Sequence, residues 1–121
     1  MKKLYFLLIT CVFYIFISGI ITENVYAQDN NFVKLPNAFS PNGDNINDVW
    51  VWEAEQIEMF QIHIYDRWGK LIFRSSDIDQ GWDGNDMSGN PVALDTYIYY
   101  IEGRKAGHGN FLQKGSVLLL R

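Results

Sequence analysis

The sequence holds a single cysteine, Cys11, among 121 residues. Small exported domains often depend on disulfides for stability, so without a cysteine pair this fold has to be held together by apolar packing. Positive charge is also scarce, because 14 acidic residues outnumber 10 basic ones and the net charge is −4. That balance argues against nucleic acid or an anionic membrane surface as a partner.

The N-terminal apolar run predicts an export signal. Two lysines precede the segment 4–21, which carries no charged residue, and this order is typical of a signal peptide. Val25 and Ala27 occupy the two positions that a signal peptidase reads. We therefore expect residues 1–27 to be a signal-peptide helix that the general export translocon recognises and signal peptidase removes.

Two other interpretations of this segment stay open. An uncleaved signal anchor would need about the length of apolar chain found here, and a lipoprotein would be anchored through Cys11. In each case the remainder lies outside the inner membrane. Cleavage after residue 27 leaves 94 residues with a net charge of −5, enough for one domain. We assign 28–34 to a short lead-in and 35–121 to that domain.

Apolar side chains alternate with more polar ones in the middle of the sequence. Phe60, Ile62 and Ile64 are each separated by one residue, which is the period of a β-strand with one buried face. A second apolar run, 71–73, follows a turn in which Gly69 supplies a positive φ. The pattern predicts a β-hairpin.

Further strands are predicted along the rest of the sequence, at Val33–Leu35, Val49–Trp52, Thr96–Glu102 and 111–121. The only helix candidate, Glu53–Met59, is too short for more than one or two turns. About seven strands joined by turns predict an all-β fold, a small antiparallel immunoglobulin-like β-sandwich. Its expected core comprises Phe60, Ile62, Ile64, Leu71, Phe73, Tyr97, Tyr99, Ile101, Val117 and Leu119; for the last two strands the opposite phase is a second interpretation.

Four motifs follow one another after the leader. They are the Asn-, Gly- and Asp-rich segment 35–48, the hairpin 64–69, the tryptophan turn 81–84 and the terminal strand 115–121. In this order they resemble the gliding motility-associated C-terminal domain, the type B sorting domain of the type IX secretion system. The resemblance implies recognition through the motif positions Asn37, Phe39, Pro41, Asn42, Gly43, Asp44, Asn47, Asp48, Tyr65, Arg67, Trp68, Gly69, Trp82, Asp83, Gly84, Gly115 and Arg121.

Two residues depart from the pattern of the family. Asn45 and Asp95 stand where the family usually has a turn glycine, and both residue types tolerate left-handed backbone geometry better than most. The family's module also ends a longer secreted protein, whereas here the leader is followed almost directly by the domain. We therefore expect a stand-alone sorting domain; the remnant of a split gene is a second interpretation.

The resemblance implies a passive address for secretion. The folded domain would cross the inner membrane, be recognised in the periplasm by the type IX outer-membrane machinery, and reach the cell surface or the medium. It would need no cofactor and no small-molecule substrate. For the terminal strand 115–121, contact with the machinery by strand addition is one interpretation, and simple completion of the sheet is the other.

The acidic turn 42–48 raises the question of a metal. Asp44, Asn47 and Asp48 provide oxygen ligands at short spacing, so calcium is one interpretation. Capping of the turn by the same side chains is the other, because Asn and Asp readily bond to nearby backbone N–H groups. In the hairpin, Arg67 is expected to pair with Asp66 or Asp83.

Trp50 and Trp52 lie on one face of their predicted strand, since they are two residues apart. A tryptophan pair can stack on sugar rings, so a surface carbohydrate-binding or adhesive module is the alternative function; a partly buried sheet face explains the same pattern. Catalysis has no support in the sequence. His63 is at an outward strand position and His108 in a glycine-rich turn, and neither belongs to a nucleophile–base or metal motif.

Overall fold

The computed structural model describes residues 31–121. The expected signal peptide and the first residues of the lead-in lie outside this range. Every regular element within it is a β-strand, and no helix there is long and apolar enough to cross a membrane. The strands are β1 (Val33–Lys34), β2 (Ala38–Phe39), β3 (Glu53–Ala54), β4 (Ile57–Tyr65), β5 (Leu71–Ser75), β6 (Asp95–Lys105) and β7 (Gly109–Leu119).

The main sheet has five strands in the order β2-β7-β6-β4-β5. Strands β4, β5, β6 and β7 pair antiparallel, and β6 and β7 form one long hairpin joined along their whole length. The short β2 pairs parallel with the end of β7, so the sheet is not purely antiparallel. A second sheet contains only β1 and β3. The prediction of an all-β, two-sheet fold is confirmed.

The second layer is built mostly from connecting segments. Only Trp50 of the predicted strand Val49–Trp52 is paired, in an isolated bridge with Trp82, so that strand prediction is wrong. The helix candidate Glu53–Met59 forms β3 and the start of β4 instead. These segments, together with the β1–β3 pair, cover one face of the main sheet and leave its other face open.

The core lies between the main sheet and this second layer. Most of the predicted core residues are buried, and Tyr99 is half-buried against them. Leu71 is an exception at 38% exposure. A bulge between Ile64 and Tyr65 shifts the β4–β5 register, so Leu71 lies opposite Tyr65 and Ile72 is buried in its place.

Four large aromatic side chains from the second layer and the edge of the sheet complete the core. Trp50 and Trp82 are fully buried, with their ring centroids 6.5 Å apart and edge-on to one another. Phe39 lies 5.3 Å from Trp82, and Trp52 lies 5.8 Å from Trp50. This cluster supplies the apolar area that a domain without disulfides needs.

Candidate recognition site

The turn after β2 is held together by its own side chains. Asp48 accepts the backbone N–H groups of Asn42 and Gly43 through Oδ1, at 3.0 and 2.9 Å, and that of Asn45 through Oδ2, at 2.7 Å. Asp44 Oδ1 accepts the Ile46 N–H at 2.9 Å. The prediction that side chains cap this turn is therefore confirmed.

Left-handed backbone is found in the same turn where the sequence departs from glycine. Asn45 has φ 63° and Asn47 has φ 51°, so the expectation for Asn45 is confirmed. Asn47 makes its contribution through the backbone, because its carbonyl accepts the Ser40 N–H at 2.9 Å.

Within residues 31–121, no three His, Cys, Asp or Glu residues are grouped to hold a metal ion. Calcium at Asp44, Asn47 and Asp48 stays a prediction.

We expect the substitution Asp48→Asn to destabilise the domain by about 1–3 kcal/mol. The amide keeps one acceptor but points an N–H at one of the backbone N–H groups that Asp48 now accepts. Asp44→Asn is the matched control, since only Oδ1 of Asp44 is needed for the Ile46 N–H and the amide can supply it. Urea unfolding measures both variants. Equal losses would contradict the assignment of Asp48 as the main cap.

The β4–β5 hairpin turn is similarly fixed. Asp66 Oδ1 accepts the N–H groups of Trp68 and Lys70, both at 2.9 Å, and the Asp66 carbonyl accepts the Gly69 N–H at 3.1 Å. Gly69 has φ 81°, as the sequence predicts. This arrangement leaves the Trp68 side chain 84% exposed at the tip.

Arg67 in this turn bonds to a carboxylate that is distant in sequence. Its Nε and Nη2 donate to Asp95 at 2.8 and 2.9 Å, so the expected pairing with Asp66 or Asp83 is wrong. Asp95 is the first residue of β6, which brings it beside the hairpin, and it does not adopt the left-handed geometry expected for it. The hydrogen bonds from Arg67 and then from the Thr96 N–H hold the pKa of the Asp95 carboxyl below its ordinary value.

This lowered pKa predicts a pH-dependent contribution to stability. A carboxyl with a depressed folded-state pKa stabilises the fold above its unfolded pKa of about 4, and loses that effect as the pH falls through the folded value. We therefore expect the stability difference between the wild type and Asp95→Asn to shrink as the pH falls below about 4. Urea unfolding of both proteins at pH 6 and pH 3 measures it. A difference that stays constant would contradict the Arg67–Asp95 contribution.

The tryptophan turn is the point at which three of the motifs meet. Gly84 has φ 80°, and a Cβ there would lie 3.0 Å from Pro41 Cγ and 3.1 Å from Leu119 Cδ1. The Trp82 indole N–H donates to the Asn85 carbonyl at 2.8 Å, and Asp83 Oδ1 accepts the Asn85 N–H at 3.0 Å. The motif residues of this turn therefore hold the first and last segments of the domain together.

The terminal strand completes the sheet. Within this segment, Leu118 and Leu120 donate their backbone N–H groups to the carbonyls of Asn37 and Phe39. Arg121 Nη1 donates to the Val92 carbonyl at 2.7 Å. A Cβ at Gly115 would lie 2.5 Å from the Tyr99 hydroxyl. The strand therefore completes the sheet, and contact with the machinery by strand addition stays a prediction.

Trp50 and Trp52 do not form a ligand-stacking surface. Trp50 is 0% exposed and Trp52 is 7% exposed, because the second layer presses both indoles against the main sheet. Trp50 also donates its indole N–H to the Pro36 carbonyl at 2.7 Å. The carbohydrate-stacking interpretation of these two residues is therefore wrong, and the expectation that they share one face is confirmed.

The open face of the main sheet carries the side chains that alternate with the core. His63, Tyr65 and Tyr100 lie together on it, with the His63 and Tyr65 rings stacked at 6.3 Å and the Tyr65 and Tyr100 rings edge-on at 5.8 Å. Ile98 is 41% exposed beside them. The geometry is that of a two-layer β-domain whose main sheet has one open face with aromatic side chains on it.

The chain matches the family model described as CHU_C Type IX secretion signal domain over residues 33–119. It belongs to this family, and its role is secretion sorting. The match begins at the first residue of β1 and ends at the last residue of β7, so it spans the whole folded domain. The resemblance read from the four motifs is thereby confirmed. No curated protein matches the chain.

Most of the motif residues predicted from the sequence have a role within the fold. Phe39, Trp82 and Gly84 lie in the core, and Asp48 and Gly69 fix turns. Sequence reasoning did not identify Ile98 and Tyr100 as parts of an exposed face. The signal was present, because residues that alternate with the predicted core positions Tyr97, Tyr99 and Ile101 face outward.

Proposed function

We propose that the chain is a non-enzymatic sorting domain, recognised as a folded unit by the type IX outer-membrane machinery. The observation that carries the proposal is the family match from residue 33 to residue 119. A linear tag would need only a short unstructured segment, whereas here the matched residues are those that fold the domain. The family is a class of secretion signals, which supports an address and not a catalyst.

The proposed route has two steps. The leader 1–27 directs the chain through the general export translocon, where signal peptidase removes it. The domain then folds in the periplasm, and the outer-membrane machinery passes it to the cell surface or the medium.

Export of the full chain in two related hosts tests this proposal. One host carries the complete type IX machinery and the other lacks its outer-membrane part. We expect immunodetection to find the chain at the surface or in the medium of the first host, and in the periplasm of the second. The same distribution in both hosts would contradict the proposal. Residues 28–121 fused to an exported fluorescent protein then test whether the domain is sufficient.

A further inference from the structure

Trp68 is the one aromatic side chain of the hairpin motif that the fold does not use. Its backbone N–H is bonded to Asp66, and the next residue before it, Arg67, is held to Asp95 by two hydrogen bonds. The indole itself is 84% exposed. A large apolar side chain on a fixed turn loses little conformational entropy when it binds, which is the property of a binding hot spot.

The hairpin that carries Trp68 continues into the open face of the sheet. Tyr65 lies opposite Leu71 on β5 and opposite Ile98 on β6, so these three form a row across the strands. Leu71 and Ile98 are 38% and 41% exposed. Tyr100 extends the row by its edge-on contact with Tyr65. The result is an aromatic and aliphatic surface at the end of β4, three residues before Trp68 in the chain.

Cations border this surface. One row of paired residues crosses the sheet from β5 to β7, in the order Arg74, His63, Tyr100, Lys114. This row has a positively charged residue at each end. Within residues 31–121 the single ion pair is Arg67–Asp95, and neither Arg74 nor Lys114 has a carboxylate within 4.0 Å.

The negative charge of the domain is concentrated elsewhere. Most of its carboxylates lie in the segments 44–58 and 77–86. Of the others, Glu102 lies on the open face, Asp66 is bonded to backbone N–H groups of the hairpin turn, and Asp95 is paired with Arg67. The domain therefore has a positive aromatic face although its net charge is negative. Charge of this kind steers a partner of opposite sign to one side of a protein.

We infer that Trp68, Tyr65, Ile98, Tyr100, Arg74 and Lys114 form the surface by which the sorting machinery holds this domain. We call it the aromatic–basic face. The inference rests on the proposed function and adds the chemistry of the partner. That partner is a protein surface with an apolar pocket for Trp68 and with carboxylates opposite Arg74 and Lys114.

A protein fits this face better than the other classes of partner. Most of the face is an open sheet surface. At its edge Arg74 lines a shallow depression that is open to solvent, so the face offers a small molecule little burial. An anionic membrane would be attracted by Arg74 and Lys114, but its extended surface would also be repelled by the net negative charge of the domain. A protein surface contacts the face locally, within the screening length of about 8–10 Å.

Delivery of the full chain in a host with the type IX machinery tests the apolar part. The measured quantity is the ratio of surface plus medium to periplasm, by immunodetection. We expect Trp68→Ala to lower this ratio at least about ten-fold, as for a hot-spot residue. Ile46→Ala is the matched control, since Ile46 is 66% exposed in the turn after β2, and it is expected to leave the ratio unchanged.

Charge reversal tests the acidic partner. We expect Arg74→Glu with Lys114→Glu to lower delivery about as strongly as Trp68→Ala. Lys114→Arg keeps the positive charge, and we expect it to leave delivery at the wild-type level. Lys34→Glu, at an exposed position of β1, is the control and is expected to be neutral. Thermal melts of all the purified variants should lie within a few degrees of the wild type, because these side chains are exposed.

The outcomes separate the inference from the proposed function. If the wild type is not delivered, the proposed function fails. If the wild type and all variants are delivered equally, the function stands and the aromatic–basic face is overturned. Loss with Trp68→Ala but not with the charge reversals would overturn the acidic partner. Co-sedimentation of the wild type, but not of Trp68→Ala, with vesicles containing one-third phosphatidylglycerol would overturn a protein partner in favour of a membrane.

Discussion

Trp82→Ala is expected to remove a large part of the stability of the domain. The Trp82 side chain is 0% exposed and its ring contacts those of Phe39, Trp50, Phe73 and Tyr97 at centroid distances between 5.3 and 6.5 Å. Truncating a buried tryptophan costs about 3–5 kcal/mol. The Asn85 carbonyl also loses its hydrogen bond from the indole, which adds about 1 kcal/mol.

That loss has to be set against the stability of a small domain, which is of order 5–15 kcal/mol in total. We expect the melting temperature to fall by about 20 °C or more, since each 1 kcal/mol shifts a domain of this size by roughly 4–8 °C. Far-UV circular dichroism during heating measures the effect. No disulfide within residues 31–121 can offset the lost stability, because this part of the chain is held together by apolar packing and hydrogen bonds.

Trp68→Ala is the matched control for this prediction. It removes the same side chain from a position that is 84% exposed, so the melting temperature should change by no more than a few degrees. The two tryptophans thus separate folding from recognition, because one supports the core and the other is presented to solvent. Similar shifts for the two variants would contradict the assignment of the second layer to the core.

The strands of the main sheet could be predicted because their alternation is regular. Ile62, Ile64 and Ile101 are all fully buried, as a period of two requires. The error at Leu71 has a definite cause. A bulge adds one residue to a strand, and the sequence of a hairpin does not reveal on which side of the turn the extra residue lies.

The second layer could not be predicted in the same way. Its strands β1 and β3 have two residues each, which is too short for any period to show. Trp50 and Trp82 are held by one isolated bridge and by their packing. Their burial follows from the position of the whole layer over the main sheet, and this is a property of the tertiary fold.

The candidate site was predictable only in part, because some of its contacts join residues that are distant in sequence. The Arg67–Asp95 pair joins the hairpin to β6 across 28 positions, so a choice among neighbouring carboxylates could not find it. The caps of the 42–48 turn, in contrast, are local contacts, and local contacts are what sequence patterns express. Trp68 stands out as a recognition residue only when the other motif residues have been assigned to the fold.

Deletion of 115–121 is expected to unfold the domain. The deleted segment contains Val117 and Leu119, both 0% exposed, and it provides the partner strand of β2. It also removes the side chain that packs against Gly84. Loss of delivery in such a truncation would therefore report loss of the fold and could not by itself identify an address in the last strand.

Two double substitutions within this strand separate these explanations. Val117→Ala with Leu119→Ala removes buried side chains, and we expect it to cost at least about 4 kcal/mol. Leu118→Ala with Leu120→Ala removes neighbours that are 40% and 47% exposed, and we expect it to change stability by less than about 1 kcal/mol. Urea unfolding of the purified proteins measures both.

Delivery of the same two variants then decides how the strand acts. If the strand only completes the sheet, the variant with Val117→Ala and Leu119→Ala is retained or degraded in the periplasm. The variant with Leu118→Ala and Leu120→Ala is then delivered like the wild type. If a partner read the strand as an extended segment, its outward side chains would matter, and the exposed pair would be retained although it folds. The pairing of β2 with Leu118 and Leu119 supports the first result, because β2 occupies the outer edge of the last residues of β7 while β6 occupies the other edge.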